Sequence, residues 1–585
     1  MNKNQQTDPT SQPNQPNQTT SIWRSVRPYG VQKIHGLASL GNYLLTLDPA
    51  RGYLLAVDPA NDNTIVLNPH KTEDFLGATD LALSENSCLA NSRHTLWLAR
   101  GDSIYACEFT ISECRLDTLQ LSTPQFFVAL RYTVSGVAVQ GQAVYVSCDH
   151  AGYILVFHQQ TGEEITRFYA PGVGVETLFA QGEELWVADT IEQMVYCLDR
   201  ATGALQYNIL TPFEHPTGLT FSPHPDGEPE ILYVAYASEE PYIRDDPNAA
   251  HPYQLTFRDR TFIHPLSFTH NASQRYTLSN GYLVEMSYVE ELAPLDPVDL
   301  QELEWRIALP NDTQRQKVIS VESIGIPFTE EIQQGSRVAV FRFDHLRPNE
   351  ARIFGWKVLL EVYSIKYYLA PPDIEDSPKF PPELANAYLV DNDNLSMDAD
   401  IVQRAAKNAI GDETNLLRQV LSIRDYVYER LGYRVTVQIE SPDRVLERGV
   451  GSCGEYVGVL LALMRLNGIA CRTVGRYKCP PYAERQGVPL EPDFNHVWLE
   501  FYVPGYGWIP MESNPDNLED RRIKPTRFFM GLAWYHVEIG KGTKFEQIRL
   551  KGEPVSKEQL ALGDLAINHV RFQIIREIHP GQNLP

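Results

Sequence analysis

Five segments in the first half of the chain resemble one another loosely, at a spacing of about 40–55 residues. Each has a short apolar strand pattern, a polar turn, an aromatic-rich strand ending near Asp or Ala, a second turn and a third strand. This period is typical of the four-stranded blades of a β-propeller. The sequence therefore predicts an N-terminal all-β propeller of five or six blades over residues 30–270. The segments begin at Gly36, Asp80, Gly136, Thr177 and Gly218.

The fourth segment also resembles known proteins. Its residues 185–203, LWVADTIEQMVYCLDRATG, are similar to the blades of the NHL and related propeller families. Because propellers bind partners more often than they catalyse, the resemblance implies a protein partner at this domain. A propeller enzyme such as a metal-dependent lactonase is disfavoured, since equivalent blade positions hold no cluster of Asp, Asn, His and Glu.

Residues 274–372 change to alternating strands that are separated by Pro, Asn and Gly turns and lack the blade period. This pattern predicts a middle antiparallel β-sandwich. Beyond the linker PPDIEDSPKFPPE, an apolar stripe predicts a helix that ends near Gly432. The stripe consists of Leu416, Val420, Ile423, Val427 and Leu431.

Cys453 follows Gly449, Gly451 and Ser452 and stands at the start of a predicted helix, with Gly468 at its C′ position. The helix is indicated by residues at three- and four-residue steps, Tyr456, Leu460, Leu463 and Met464. A cysteine in the first turn faces unpaired backbone N–H groups and the positive end of the helix dipole, which favour the thiolate. The same N–H groups, the Cys453 amide first among them, can hold an oxyanion. Cys453 is therefore predicted to be a nucleophile.

His496 opens the segment HVWLEFYV, which alternates as a strand does. The turn signal PGYG and the segment WIPME then predict the returning strand of a hairpin. A returning strand can bring a carboxylate to the far nitrogen of an imidazole and so fix its tautomer. His496 is predicted to be the base and Glu512 the acid, with Asn514 or Asp516 in its place if the register differs.

These segments resemble the core of the transglutaminase-like superfamily. The matching motifs are G-x-C-x-x-Y from Gly451, R-x-x-G-I-x-x-R from Arg465, H-x-W-x-E from His496 and G-W-x-P from Gly507. The resemblance implies a papain-like Cys-His-Asp triad, which maps to Cys453, His496 and Glu512. The last position departs from the aspartate that is usual in the family.

The resemblance covers roughly a fifth of the chain. It implies a C-terminal α+β catalytic core over residues 380–545, with residues 546–585 as a C-terminal extension. The segments FFMGLAWYHVEIGKG and HVRFQIIREI are expected to complete the sheet of this core.

Other residues near the motifs are expected to serve packing or the substrate cleft. Cys471 lies in an apolar strand, and Cys479 lies in a loop near the site. Trp498 and Trp508 are expected to wall the hairpin and the cleft. Glu500 is either a solvent-facing charge or the partner of a cleft arginine. The loop KCPPYAERQGVPLEPDFN is expected to lie over the cleft and help to set the substrate.

A zinc site is an alternative use of the thiols in this region. It is disfavoured because no C-x-x-C pair is present. Its four ligands would be Cys453, Cys471, Cys479 and His496. No cofactor is expected.

Composition limits the class of partner. The chain has 585 residues and a formal charge of −24, without the clustered Lys and Arg that nucleic acid requires. No apolar run approaches the length of about 20 residues that spans a bilayer. The polar segment 1–25 is expected to be a disordered tail and no signal peptide. Eight scattered cysteines fit a reducing compartment, and a cytoplasmic location is expected.

The leading hypothesis is a cysteine-dependent enzyme that transfers the acyl group of peptide or protein amides through an acyl-thioester. The acceptor, water or an amine, separates a peptidase or amidase from a transglutaminase, and the sequence leaves this open. The alternative is an inactive transglutaminase-like protein that serves as a propeller-based interaction scaffold, for which the glutamate at position 512 is the main argument.

Overall fold

A computed structural model describes most of the chain. The described residues are 23–84, 92–112, 115–149, 151–224, 227, 229–245, 253–292, 299–348, 350–376, 380–435, 438–492, 495–556, 559–560 and 567–581. The predicted tail lies outside them except for residues 23–25. Among these residues, no helix combines the length and the apolar character that crossing a bilayer requires.

Five small antiparallel sheets follow one another in chain order from residue 35 to residue 265. The first holds β1 (His35–Leu40), β2 (Tyr43–Asp48), β3 (Tyr53–Val57) and β4 (Thr64–Val66). The second holds β5 (Ala78–Leu83), β6 (Ser92–Arg100), β7 (Ser103–Ser112), β8 (Arg115–Leu121) and β9 (Gln125–Ala129). The third holds β10 (Val134–Gln140), β11 (Ala143–Cys148), β12 (Tyr153–His158) and β13 (Glu164–Tyr169). The fourth holds β14 (Val175–Gln181), β15 (Glu184–Asp189), β16 (Met194–Asp199) and β17 (Leu205–Leu210). The fifth holds β18 (Pro216–Ser222), β19 (Ile231–Asp245) and β20 (Tyr253–Pro265).

The first strands of these sheets lie next to one another in the order β1, β5, β10, β14 and β18, and β18 also lies beside β1. The contact between the last and the first sheet is close. Thr217 Oγ1 donates to the Ile34 carbonyl at 2.8 Å. A Cβ atom at Gly218 would lie only 2.8 Å from the backbone of Gly36. Glycines therefore open two of the repeated segments because two backbones meet there.

Asp80 lies on β5 among these first strands, and its carboxyl is fully buried. Its Oδ2 accepts the N–H groups of Val137 at 2.9 Å and Leu178 at 3.3 Å, which tie β5 to β10 and β14. Burial raises the pKa of Asp80 to about 8, and the backbone donors only partly offset this effect. The Asp80 carboxyl that joins these three strands therefore stays protonated near neutral pH.

A pH-dependent change in stability is expected for Asp80→Asn. The folded pKa lies above the unfolded value of about 3.9, so the stability contributed by Asp80 falls as the pH rises from about 4 to about 8. Relative to the native protein, the free energy of unfolding of the variant should rise by on the order of a few kcal/mol between pH 5 and pH 8. Thermal unfolding midpoints at the two pH values measure this. The exposed Asp376→Asn is the control, and equal pH slopes for the native protein and Asp80→Asn would contradict the prediction.

The second half of the chain mixes strands with five α-helices among the described residues. Its first strands are β21 (Phe268–Asn271), β22 (Tyr276–Leu292), β23 (Leu300–Ala308), β24 (Gln316–Ile324), β25 (Thr329–Gln333), β26 (Ser336–Leu346) and β27 (Arg352–Tyr367). The helices are α1 (Pro382–Tyr388), α2 (Asp400–Ile410), α3 (Leu416–Arg430), α4 (Pro442–Arg448) and α5 (Cys453–Leu466). The strands among and after them are β28 (Gly432–Tyr433), β29 (Val450–Gly451), β30 (Cys471–Lys478), β31 (Pro489–Leu490), β32 (His496–Val503), β33 (Gly507–Met511), β34 (Gly531–Leu532) and β35 (His536–Ile539). The last are β36 (Glu546–Leu550), β37 (Glu553–Val555) and β38 (Ile567–Ile578).

Two antiparallel sheets share one apolar core, as a β-sandwich does. One sheet runs β24-β27-β22-β38-β31, with β21 on β22 and β34 on β27, and the other runs β25-β26-β23-β36-β37. Aromatic rings fill the space between them: the Trp305 and Phe354 centroids lie 5.4 Å apart, and those of Phe341 and Phe354 lie 5.0 Å apart.

The C-terminal segment HVRFQIIREI lies within β38 and pairs with β22 of the sandwich. The prediction that it completes the sheet of the core is therefore wrong. Alternation along a strand states that a strand forms but not which distant strand it pairs with. In the segment FFMGLAWYHVEIGKG, β35 joins the core sheet by pairing with β30, as predicted, whereas β34 pairs with β27 of the sandwich.

The α+β core contains a four-stranded sheet, β33-β32-β30-β35, with α5 packed on β32 and the helices α2, α3 and α4 around α5. The predicted hairpin is present, with Leu499 opposite Met511 and Val503 opposite Gly507. The predicted helix α3 begins after Asn415, whose side chain accepts the Leu417 N–H at 3.1 Å. These local predictions are confirmed.

Candidate active site

Cys453 is the first residue of α5, as the sequence predicts. The start of the helix is fixed by the buried Glu455, which accepts the Ser452 N–H at 2.8 Å and pairs with Arg448 at 2.8 Å. Gly468 has a φ of +74° after the last turn, as expected of a C′ glycine. The thiol is thus held at a helix N-terminus, where the dipole favours an anion.

Cys453 differs from the other cysteines of the described residues. It is half-buried, whereas the other five are buried. Those five are Cys107, Cys148, Cys197, Cys471 and Cys479. Burial raises the pKa of Cys148 to about 11 and that of Cys471 to about 12, so neither ionises near neutral pH. Among the described thiols, Cys453 alone combines access with a partner that can take its proton.

His496 is the first residue of β32 and lies beside Cys453. Its Nε2 lies 2.8 Å from Glu512 Oε1 and 3.0 Å from Oε2. Because Nε2 faces the carboxylate, Nδ1 is the nitrogen left to serve the thiol. The His496 ring and the Val497 N–H both lower the pKa of Cys453. The structure thus brings together the three residues that the sequence predicted as nucleophile, base and acid.

Glu512 follows β33 directly and is buried. Since Leu499 is opposite Met511, the next residue lies diagonally across from His496. Diagonal neighbours on paired strands are about 7–8 Å apart, within reach of a long side chain. The extra methylene of glutamate therefore suits this position. Glu512 Oε2 also accepts the Ser513 N–H at 2.8 Å.

Charges at the site favour a thiolate–imidazolium pair. Burial opposes ionisation of Cys453, but the hydrogen bond with His496 and the charge of that ring outweigh it, and the thiol pKa is lowered. Burial also opposes protonation of His496, but the Glu512 carboxylate outweighs it, and the imidazole pKa is raised. Despite its own burial, Glu512 has a pKa held well below its usual range by His496 and Lys478. The charge of Glu512 thus favours protonation of His496, and the charge of His496 favours ionisation of Cys453.

The other residues predicted for this region lie elsewhere or have other roles. Asp516, an alternative acid, pairs with Arg527 at 3.0 Å and accepts the Phe528 N–H at 2.9 Å. Asn514, the other alternative, is bound by Ser513 Oγ at 2.8 Å. The geometry therefore favours Glu512 over both as the partner of the imidazole.

Trp498 is fully buried, with its ring centroid 5.1 Å from that of His536, so the prediction that it walls the substrate cleft is wrong. Trp508 lies under the guanidinium of Arg472, whose Cζ is 4.0 Å from the ring centroid. Glu500 is buried and pairs with Arg472 at 2.7 Å, so the arginine-partner alternative is the one observed.

Cys471 packs in the core, with its Sγ 3.6 Å from the Leu461 carbonyl. Cys479 is also buried, and burial raises its pKa well above the ordinary value. The loop between β30 and β32 contacts other parts of the chain: the Gly487 N–H donates to the Ile574 carbonyl at 2.8 Å, and Glu484 pairs with Arg260 at 2.6 Å. No group of three or more His, Cys, Asp or Glu side chains suited to a metal ion occurs in the part of the chain that the structure describes.

Two further residues of the site, Lys478 and His536, are not predicted from the sequence. Lys478 Nζ lies 2.6 Å and His536 Nε2 lies 2.8 Å from Glu512 Oε1. Lys478 ends β30 and His536 begins β35, and the two are cross-strand partners. A basic residue and a histidine at the ends of two strands are a signal only once the pairing of those strands is known.

Residues 403–513 match the model of the transglutaminase-like superfamily. They form a transglutaminase-like domain. The match includes Cys453, His496 and Glu512, so the residues that meet in the structure all lie within the matched segment. An uncharacterized protein of Haemophilus influenzae is 26% identical over 168 residues, which cover 26% of this chain and 44% of that relative. The chain therefore spans less than half the length of this curated relative.

Solved structures similar to this chain come from several proteins. A candidate cysteine protease of Cytophaga hutchinsonii is 15% identical and matches 53% of this chain and 94% of its own, with a TM-score of 0.35. The glutaminyl cyclase of Myxococcus xanthus is 9% identical and matches 41% of this chain and 95% of its own, with a TM-score of 0.27. The calcium-binding protein regucalcin of Agrobacterium tumefaciens is 13% identical and matches 41% of this chain and 94% of its own, with a TM-score of 0.24.

Proposed function

We propose that the protein is a cysteine-dependent acyl-transfer enzyme that acts on amide bonds of peptides or proteins. Cys453 first gives its proton to His496, and its thiolate Sγ then attacks the amide carbonyl, whose oxygen becomes an oxyanion near the Cys453 N–H. His496 then protonates the leaving amine as the C–N bond breaks, which leaves an acyl-thioester. Water or an amine, deprotonated by His496, releases the acyl group and restores the thiol.

One observation carries this proposal: a half-buried thiol at a helix N-terminus has its pKa lowered by a neighbouring imidazole, and Nε2 of that imidazole lies 2.8 Å from a buried carboxylate. A histidine oriented in this way can take and return the same proton. The glutamate at position 512, which raised the scaffold alternative, keeps its carboxylate at the imidazole.

We infer in addition that the first five sheets are the blades of a five-bladed β-propeller. Five successive sheets, the ordered contacts of their first strands and the contact of β18 with β1 support this. We also propose that the propeller binds a protein partner and that the protein works in a reducing, cytoplasmic setting. Free thiols at all six described cysteines are consistent with such a setting.

Thiol alkylation tests the proposal without a known substrate. At pH 6 and with iodoacetamide, Cys453 is expected to react at least about 10-fold faster than Cys148 or Cys471, because only its pKa is lowered. Peptide mass spectrometry of timed samples measures the rates at each residue. Equal rates, or a Cys453 thiol that titrates near ~8.5, would support the scaffold alternative and refute the enzyme.

The acyl acceptor is identified by a second experiment. The protein is incubated with a peptide library, with and without a primary amine, and the products are profiled by mass spectrometry. New peptide termini indicate hydrolysis of the chain, a shift from glutamine to glutamate indicates deamidation, and incorporated amine indicates transglutamination. The Cys453→Ala protein is the matched control, and products that it also forms do not count.

A further inference from the structure

Glu512 is bound by more donors than the orientation of one imidazole requires. Its Oε1 lies 2.8 Å from His496 Nε2, 2.8 Å from His536 Nε2 and 2.6 Å from Lys478 Nζ. We propose that Lys478 and His536 are positioning residues of this site: both hold the Glu512 carboxylate at His496, and Lys478 sets the upper pH limit at which His496 stays protonated. This inference rests on the proposed function.

We call Lys478 and His536 together the clamp, because they hold the Glu512 carboxylate from two sides. The need for the clamp follows from the length of the Glu512 side chain. Glutamate has one more rotatable bond than the aspartate usual at this position, so its carboxylate has more rotamers to sample. Contacts from β30 on one side and β35 on the other leave one arrangement that satisfies all the donors. Lys478 and His536 are cross-strand partners, so a single pairing of strands delivers both.

The His536 ring is the uncharged arm of the clamp. It is fully buried, and burial lowers its pKa to about 3. A neutral imidazole has one N–H, yet its nitrogens face two acceptors, Glu512 Oε1 and the Ala533 carbonyl at 3.1 Å. The N–H therefore lies on Nε2 and donates to the carboxylate, because a charge-assisted hydrogen bond is the stronger one. The Ala533 carbonyl has another donor, Arg315 Nη2 at 2.7 Å.

Arg315 extends the support from the β-sandwich into the site. Besides Ala533, it donates from Nη1 to the His536 carbonyl at 2.7 Å and from Nε to the Tyr363 carbonyl at 2.8 Å. These bonds hold both ends of the short segment that carries the ring of His536. The position of the uncharged arm is thus set by a residue between β23 and β24, outside the transglutaminase-like domain.

Lys478 is the charged arm. Among the described residues, the titratable groups that act on the pKa of His496 are Cys453 from α5, Glu512 from the end of β33 and Lys478 from β30. Arg476, the cross-strand partner of His496, lies over the ring of Phe545, with its Cζ 5.1 Å from the centroid. The ammonium of Lys478 opposes the effect of the carboxylate and lowers the imidazole pKa. Without this charge, His496 would keep its proton to higher pH.

The charged arm is tested with two alkylating reagents on the full-length protein. Iodoacetate is anionic and reacts faster beside an imidazolium, whereas iodoacetamide is neutral, so the ratio of their rates at Cys453 falls as His496 loses its proton. Lys478→Met should move the midpoint of this fall to higher pH. Lys478→Arg keeps the charge and should return the midpoint to that of the native protein. A midpoint that is the same in all three proteins would overturn the role of Lys478.

The uncharged arm requires a different readout. His536→Leu should lower kcat for amide turnover about 10-fold, because the carboxylate is less well held, and should leave the midpoint in place, because no charge is removed. His536→Gln restores an N–H donor and should recover most of the rate. Thermal unfolding of each variant shows whether it is folded. Full kcat in a folded His536→Leu, or a loss that His536→Gln does not recover, would overturn the positioning role.

Failure of the proposed function gives a separate result. In that case Cys453 of the native protein titrates as an ordinary thiol, and the iodoacetate to iodoacetamide ratio shows no step. A native protein with a lowered thiol pKa and a clear step, combined with unchanged variants, refutes the clamp and leaves the enzyme intact.

Discussion

Cys453→Ala is expected to abolish amide turnover, with kcat/KM lowered by on the order of 10⁴-fold or more. The acyl-thioester cannot form without the sulfur, and His496 then has no nucleophile to activate. What remains is the modest rate enhancement that binding and the oxyanion N–H groups supply. The kinetics are measured on a peptide identified by the product profiling described above.

Cys471→Ala is the matched control for this prediction. Cys471 lies on β30 in the same domain and is buried, but burial raises its pKa to about 12. Removal of this thiol should lower stability somewhat through lost packing and leave kcat/KM within a few-fold of the native value. Turnover that persists in a folded Cys453→Ala, or is lost equally in Cys471→Ala, would place the chemistry elsewhere in the molecule.

Those parts of the site that lie close together along the chain were predictable from the sequence. The periodicity after Cys453, with Ser452 before it and Gly468 after α5, places the thiol at a helix N-terminus through local preferences alone. The hairpin between His496 and Glu512 is equally local, because one turn signal sets the pairing of β32 with β33. The position of Glu512 relative to His496 follows from the hairpin, and the place of Cys453 at a helix start follows from the helix. The approach of Cys453 to His496 depends instead on the packing of α5 against β32.

The clamp could not be predicted because it depends on pairing between distant strands. Lys478 and His536 meet only because β30 pairs with β35 after β32 and β33 have intervened along the chain. Strand patterns do not state this order. The same limit explains the error on the C-terminal segment, whose alternation fits either sheet and whose partner in the structure is β22.

The surroundings of the sheet decided a further point. Alternation along β32 placed Glu500 on a face that could be either solvent or protein. The structure covers it: Glu500 is bound by Lys541 at 2.6 Å, and Lys541 also contacts Glu538 at 3.3 Å. Thr313, from the sandwich, donates to Glu538 at 2.7 Å. Contacts between separate parts of the chain decide whether such a face is buried, and single-strand periodicity cannot report them.

Glu512→Gln is expected to lower kcat/KM by about 10³–10⁴-fold without loss of the fold. The amide N–H can donate a hydrogen bond to Nε2 of His496, which favours the tautomer that carries its proton on Nδ1. That nitrogen serves Cys453, so the ring can no longer take the thiol proton. Loss of the carboxylate also removes the charge that raises the His496 pKa, so the alkaline limit of the pH–rate profile should move to lower pH.

Glu512→Asp tests the length of the side chain and keeps its charge. The substitution introduces the aspartate usual in the transglutaminase-like superfamily, yet we expect it to lower the activity. The carboxylate retreats by about 1.5 Å, one carbon–carbon bond. It then cannot reach His496, His536 and Lys478 together, and we expect kcat/KM to fall by about 10–100-fold. Because the negative charge is kept, the alkaline limit of the pH–rate profile should not move to lower pH as it does in Glu512→Gln. The exposed Glu519→Gln, a few residues further on, is the control. A fully active Glu512→Gln would show that the carboxylate does not orient the imidazole. A fully active Glu512→Asp would show that the length of the side chain is not what the strand geometry demands.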